Sequence, residues 1–531
     1  MVWQNSIMAE LVTPSASPCE ALRTPAAGRE MPVTRRRFIE AAGALAAVTS
    51  VSSLVANDES SPADQVRSIS TSKVLLVDHE FIARSEGVQL KLHPPRKTGE
   101  RLIESEHPWE SATLNWFSVL RDGDKYRMWY ECYDVDGWPT ADDTSFCYAE
   151  SNDGIRWTRP NAGMVSYRGS KDNNILFRQI GEGTHRSRVH GSCVFIDPSA
   201  PPDARYKCVS QGMFQGIGER PYYVAGMSSP DGLNWTRCPQ PICPVFADSQ
   251  YSGFWDESLQ RYVILGRMAG RGGRAIGRSA SDRFDVIAPL TESRVLQVET
   301  TDPPGCDLYN PACQPYPGVP GLYLMFPSLF RHREDTLEIR LAVSRNGIHW
   351  TWPDRETPFI PLDQSGDFDG GSLYMANGAC VPTGDDEFSF YFSGSVLKHE
   401  EVDLPKLTDP KNRRVITRAV ARKDRLVSVT AAAGGGSFET PLIRFTGGRL
   451  ILNAAARSAG RVRVGLLDEN RRPIPSRGVE DCQALTTDDL SWTVSWTNGH
   501  DVTAWSDTPI HLRLELQNAD VFGFQFSGET S

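Results

Sequence analysis

Clustered basic charge is what this sequence has least of: its 531 residues carry 56 Lys and Arg against 66 Asp and Glu, a formal charge of −10. A generic nucleic-acid binder concentrates Lys and Arg to displace counterions, so that class is excluded. Long apolar runs are also missing, and none approaches the ~18 residues that cross a bilayer. No G-x-S-x-G nucleophile elbow is present. Gly270-Arg-Gly-Gly-Arg274 is glycine-rich and basic, but no helical pattern follows it, so it reads as a loop rather than a nucleotide cradle. The eleven Cys are irregularly spaced, and the C-x4-C of Cys238 and Cys243 has no second pair, which argues against zinc. They read equally as cross-strand disulfides or as buried thiols. No ligand spacing supports calcium, and no cofactor is expected.

What is present is strand and turn material. There are 44 Gly, 36 Pro, 22 Phe, 15 Tyr and 13 Trp, and 40% of the chain is apolar, enough for two or three domains. Near the N-terminus, Thr34-Arg35-Arg36-Arg37-Phe38-Ile39-Glu40 precedes a weakly apolar, Ala-rich run to about Ala56. This resembles a twin-arginine export signal, with Leu54-Val55-Ala56 as the cleavage region and Met31 as a candidate start. Residues 1–56 are therefore read as a leader and 57–74 as a linker. The mature protein is expected to be periplasmic or secreted, with no membrane partner once the leader is removed.

Two repeats interlock in the next 330 or so positions. Ser151-Asn-Asp-Gly-Ile-Arg-Trp157, Ser229-Pro-Asp-Gly-Leu-Asn-Trp235 and Ser344-Arg-Asn-Gly-Ile-His-Trp350 are hairpin signals in which Asp-Gly or Asn-Gly supplies the positive-φ turn. A degraded copy runs from Ser279 to Phe284. Independently, an apolar strand, a polar turn and an aromatic strand recur five times. Their anchors Val119, Val194, Phe254, Cys313 and Cys380 are spaced by 75, 60, 59 and 67 residues. That is the length of a four-stranded propeller blade. The expected fold is all-β: a five-bladed β-propeller over 75–405, followed by an antiparallel β-sandwich over 413–531, where period-two alternation prevails.

Five blades carrying S-x-D-G-x-x-W hairpins resemble the glycosidase propeller superfamily of invertases, levansucrases and arabinanases (glycoside hydrolase families 32, 43, 62, 68 and 130), over roughly residues 75–400. The sialidase Asp-box is one residue longer and has no copy here. The resemblance implies hydrolysis of an O-glycosyl bond, and the terminal sandwich is similar to the accessory module of family 32.

Residues at the beginnings of the inner strands should ring one mouth. Six positions before each anchor stand Thr113, Arg188, Asp248, Asp307 and Tyr374, and four before it Asn115, His190, Gln250, Tyr309 and Ala376. Glycoside hydrolysis takes two carboxyl groups, so Asp248, Asp307 and Glu110 are the expected catalytic residues. Arg188, His190, Asn115, Gln250, Tyr309, Trp109, Trp116 and Asp369 are the expected carbohydrate contacts. The resemblance is incomplete: the second-blade R-D-P of family 32 is replaced by Arg188-Val-His190. Glu131-Cys132 has the letters of that family's third-blade acid but follows a first-blade strand, so the role is not carried over to it. A non-catalytic glycan-binding propeller is the alternative reading.

Overall fold

In the computed structural model, residues 66–136, 144–178, 189–214, 222–243, 250–289, 294–363 and 367–528 are described. The twin-arginine segment, Arg188 and Asp248 lie outside them. Five antiparallel sheets follow one another along the chain as blades of a propeller. Blade 1 is Thr113–Asp122, Lys125–Tyr133, Ser145–Ser151 and Ile175–Arg178, from the axis outward. Blade 2 is His190–Ile196, Tyr206–Met213, Tyr222–Ser229 and Thr236–Arg237, and blade 3 is Ser252–Asp256, Arg261–Gly270, Gly273–Ser281 and Arg294–Leu296. In blade 4 each strand is broken in two, Cys306–Leu308 and Cys313–Pro315 forming the inner one. All five anchors fall on inner strands, as the repeat spacing requires.

Blade 5 departs from expectation. Ser372–Pro382 and Glu387–Ser395 pair in order, but the third strand is Val415–Arg422, which the sequence pattern had assigned to the sandwich. Its fourth strand is Arg96–Lys97, which precedes blade 1 in the chain. The ring is thus closed by chain from both sides of the propeller. Arg67–Ser70, expected to be linker, pairs in parallel with Ile443–Phe445. Local alternation could not reveal these pairings, because period two marks a strand but not its partner.

Aromatic side chains fill every blade interface, which accounts for their abundance. Trp129 meets Tyr206 between blades 1 and 2 with ring centroids 5.9 Å apart, and Phe195 meets Phe284 between blades 2 and 3 at 6.2 Å. Phe254 meets Tyr323 at 6.0 Å, Phe359 meets Phe390 at 5.1 Å, and Trp157 meets Tyr391 at 6.0 Å to complete the circle. The S-x-D-G-x-x-W hairpins follow the third strands of blades 1, 2 and 4. In each, the Ser hydroxyl accepts the Gly N–H at 2.9 Å, and the Trp indole N–H donates back to the Gly carbonyl. In blades 2 and 1 the Gly carbonyl also latches onto the preceding blade, accepting from Trp129 at 2.6 Å and from Tyr391 at 2.8 Å. A further repeat joins neighbours: Tyr206, Tyr262 and Tyr323 open second strands and donate to Asp122, Asp197 and Asp256 at the ends of the preceding inner strands.

The axis is closed by a buried polar belt. Asn377 of blade 5 accepts from Ser252 of blade 3 at 2.8 Å and donates to the Ser192 carbonyl of blade 2 at 3.0 Å. Ser118 of blade 1 accepts the Val194 N–H at 2.9 Å. Gln250 accepts from Asn310 at 2.5 Å and donates to the Met375 carbonyl at 3.3 Å. Each of these buried polar groups would be costly unpaired, so together they fix which blades meet.

In the C-terminal sandwich, two long strands, Arg449–Leu467 and His511–Ser527, pair throughout, interrupted by irregularities at 453/454 and 456/461. The register shifts divide the first of these strands into two halves. Leu450 and Leu452 from one half, and Val462 and Val464 from the other, share one apolar core with Trp496. Val88–Leu92 and Arg84–Glu86, from before the propeller, complete its edges.

Candidate functional site

Inner strands of all blades begin at one end of the ring, and antiparallel pairing brings the ends of the second strands beside those beginnings. Two groups of side chains assemble there. The first is aromatic and cationic. Trp116 of blade 1 lies 4.5 Å from Tyr374 of blade 5 and 6.1 Å from Tyr309 of blade 4, centroid to centroid, and all three are buried together with Phe330. His399 packs edge-on against Tyr309 at 4.5 Å and hydrogen-bonds the Tyr374 hydroxyl at 2.9 Å. The Arg267 guanidinium sits 4.0 Å from the Tyr309 ring centre, Arg414 4.5 Å from that of Tyr374, and Arg274 5.1 Å from that of Tyr309. Burial pulls the Arg414 guanidinium below its ordinary pKa and pushes the Tyr374 phenol above its own.

Asp307 anchors this group. It is fully buried, and its Oδ2 accepts the backbone N–H of Arg274 at 3.1 Å and the Arg274 guanidinium at 2.9 Å, with His332 Nε2 at 3.2 Å. Oδ1 has no hydrogen-bond partner among the described residues. The glycine-rich segment 270–274 makes this geometry possible: Gly273 has φ +138, and a Cβ there would lie 2.6 Å from Asp307 Oδ2. The segment is a hairpin wrapped around a carboxylate.

The second group joins blades 1 and 2. Glu131, at the end of the second strand of blade 1, is fully buried; Oε1 lies 2.6 Å from His190 Nδ1, and Oε2 accepts the Gly191 N–H at 3.0 Å. The Tyr133 hydroxyl lies 3.1 Å from the same imidazole nitrogen.

Asp307, Tyr309 and Trp116 thus meet in one group, and His190 in the other, while Asn115 precedes Trp116 on the first inner strand. Several expected residues are elsewhere. Glu110 is a structural carboxylate within blade 1. It is fully buried, accepting from Tyr130 at 2.6 Å and from the Glu106 and His107 N–H groups at 3.0 and 3.2 Å, and it ion-pairs with Arg159 at 3.1 Å. Trp109 belongs to the same packing and donates to Asn174 at 3.0 Å. Asp369 is held by Lys97 of the closing strand at 2.7 Å, and Gln250 is consumed by the axial belt. The positional alignment also slips, because register irregularities at 114/117, 190/193 and 375/380 shift inner strands relative to one another. Ser118 consequently pairs with Asn377, which puts Asn115 rather than Thr113 level with Tyr374.

Glu131, Arg267, Arg274, His332, His399 and Arg414 were absent from the expected site. The signal for the first two was available: hairpin pairing places the end of a second strand beside the start of the first. The others arrive on loops or third strands whose approach no local pattern announces. All ten described cysteines are free thiols, and Cys132 and Cys147 face each other with sulfurs 3.6 Å apart.

No family model and no curated protein sequence matches this chain. Solved structures similar to it include a putative glycoside hydrolase from Parabacteroides distasonis, 12% identical over 63% of this chain and 96% of that one, with TM-score 0.42. An N-acetylgalactosamine deacetylase from F. plautii in complex with blood group B trisaccharide is 12% identical over 64% and 96%, with TM-score 0.41. A thermostable family-43 glycoside hydrolase is 12% identical over 63% and 96%, with TM-score 0.39.

Proposed function

We propose that the mouth of the propeller binds a carbohydrate and hydrolyses one of its O-glycosyl bonds. The observation that carries this reading is the juxtaposition of the Trp116, Tyr309 and Tyr374 rings with Asp307, whose buried Oδ1 oxygen has no hydrogen-bond partner among the described residues. Aromatic faces receive the apolar face of a sugar ring, and a carboxylate oxygen without a protein partner can accept from a hydroxyl or act on the anomeric centre. Held by Arg274 at 2.9 Å, Asp307 suits the role of base or nucleophile. Glu131, hydrogen-bonded to His190, and Asp248 are the candidates for proton donor. The test is release of reducing ends from a glycan library by the wild type, Asp307→Asn, Glu131→Gln and Asp248→Asn. Undiminished turnover in Asp307→Asn removes the assignment.

The alternative, glycan binding without turnover, is favoured by one observation. Both oxygens of Glu131 and one of Asp307 are already engaged by protein donors. Binding on a glycan array without product release would decide for it. Export through the twin-arginine route belongs to the same proposal, and replacing Arg35, Arg36 and Arg37 by Lys should leave the protein in the cytoplasm.

A further inference from the structure

The sandwich carries a polar groove that the propeller site does not use. It lies on one face of four neighbouring strands, Arg84–Glu86, Gly436–Glu439, His511–Ser527 and Arg449–Leu467. Register places Glu86 opposite Ser437, Ser437 opposite Glu515, and Glu515 opposite Arg463, a row about 14 Å long at ordinary strand spacing. Arg461 and Gln517 form the next pair on the same face. The alternate residues Val462, Leu514 and Leu516 face the other way, into the sandwich core. Together with Gly434, Gly435 and Gly436, the polar set lines a groove of about 470 Å³, within the range of small-molecule sites.

The glycines make the groove. Three successive positions on its wall have no side chain to fill it, and a Cβ at Gly436 would lie 2.4 Å from the Gly87 carbonyl oxygen, so nothing larger fits there. The charges along it are left unused. Arg463 stands directly opposite Glu515, the placement in which opposite charges pair across strands. Glu515 nevertheless turns to Arg513, at 3.2 Å. Among the described residues Arg461, Arg463 and Glu86 have no hydrogen-bond or ion-pair partner for their side chains, and Arg463 Nε is buried without an acceptor. Arg461 and Glu86 are exposed, while Arg463 and Glu515 are half-buried. A half-buried guanidinium without an acceptor carries a desolvation cost that the fold does not offset.

The chemistry of the groove narrows its ligand. Two guanidinium groups and two carboxylates balance, so a simple anion would face Glu86 and Glu515, and a cation would face Arg461 and Arg463. Among the described residues no aromatic side chain lines it, and Leu516, the one large apolar residue of its wall, has its side chain in the core. A peptide would find no anchor there. Donors and acceptors in alternation at zero net charge suit a run of hydroxyl groups, each able to accept from a guanidinium and donate to a carboxylate. We propose that this groove is a second carbohydrate site, holding a neutral stretch of glycan by hydroxyl contacts with Arg461, Arg463, Glu86 and Glu515. The proposal goes beyond the reading of the propeller mouth, because it requires no turnover there.

The test is hydrogen–deuterium exchange of the full chain with a panel of neutral hexasaccharides (glucan, xylan, mannan, galactan and arabinan) and with citrate as a small-anion probe. At least one hexasaccharide should slow exchange in 434–437 and 515–517, and citrate should not. In the double variant Arg461→Gln/Arg463→Gln the affinity, read from the concentration dependence of that protection, should fall about tenfold or more, as expected for loss of charged hydrogen bonds. Gly434→Leu is an independent block. A Cβ at Gly434 meets nothing within 4 Å, so the fold is kept while the longer side chain enters the groove, and protection should be lost. Any protection of the strands around Trp116 and Tyr309 should be unchanged in both variants. Protection confined to those strands, or protection of 434–437 that survives both variants, overturns this inference and leaves the carbohydrate reading of the mouth standing. Protection of the groove without the mouth upholds this inference and counts against the other. Protection by citrate and by no hexasaccharide overturns the glycan assignment in favour of a small anion. Absence of protection anywhere by every hexasaccharide overturns both readings.

Discussion

Replacing Glu110 by Gln separates a structural carboxylate from a catalytic one. The side chain is fully buried and accepts from one phenol, two backbone N–H groups and the Arg159 guanidinium. Gln preserves its volume but removes the charge and turns an amide donor either towards backbone N–H groups that can only donate or towards the Tyr130 hydroxyl, which already accepts from Arg159 and Asn174. Breaking a buried ion pair from one side costs about 3–5 kcal/mol. Arg159 keeps a second partner, Glu106 at 2.6 Å, whose side chain is 62% exposed, so the low end applies, about 3 kcal/mol. With an unfolding entropy of roughly 1 kcal/mol/K for a chain of this length, Tm should fall by about 3 °C. Scanning calorimetry gives Tm, and titration with whichever oligosaccharide binds the wild type gives affinity, which should be unchanged. An unaltered Tm combined with lost affinity or turnover would return Glu110 to the site and refute the reasoning.

Three further outcomes follow from particular contacts. His93, 2.8 Å from the Ser428 hydroxyl, has its pKa brought from 6.5 down to about 4, chiefly by burial. The unfolded chain therefore takes up its proton first, and stability present above pH 6.5 is lost as pH falls towards 4. The loss is about 2 kcal/mol after allowance for solvent screening, and His93→Gln should flatten that part of the urea-stability profile. Gly232 has φ +77, and a Cβ there would lie 2.6 Å from the Trp129 ring; Gly232→Ala should cost about 2 kcal/mol by chemical denaturation and weaken the blade 1–2 interface. Asn377→Ala should leave the Ser252 hydroxyl, which still accepts the Cys313 N–H, without an acceptor for its proton, remove the donor to the Ser192 carbonyl, and destabilise by about 2 kcal/mol. A urea midpoint equal to wild type would contradict that account of the belt.

How far the sequence reached depends on how local each determinant is. The hairpins were legible because Ser, Asp or Asn, Gly and Trp satisfy one another within seven residues, and Gly supplies the positive φ that the turn demands. The blade count was legible because strand length and turn spacing recur along the chain. The Tyr-to-Asp latches between Tyr206 and Asp122, Tyr262 and Asp197, and Tyr323 and Asp256 recur along the chain, but no local signal pairs them, since donor and acceptor belong to different blades.

The sequence by itself therefore determined five all-β repeats, their order, a trailing sandwich, and a polar set at the beginnings of the inner strands. Only the tertiary structure decided that Arg96–Lys97 closes the ring, that Glu110 is locked inside blade 1, and that Glu131 meets His190. It also decided that Asp307 lies between Arg274 and His332 beneath an aromatic platform. The physical reason is the same throughout. Alternation and turn chemistry act over a few residues, whereas the approach of two charges is set by strand register and blade packing. One bulge in an inner strand is enough to move every side chain beyond it to another level of the mouth.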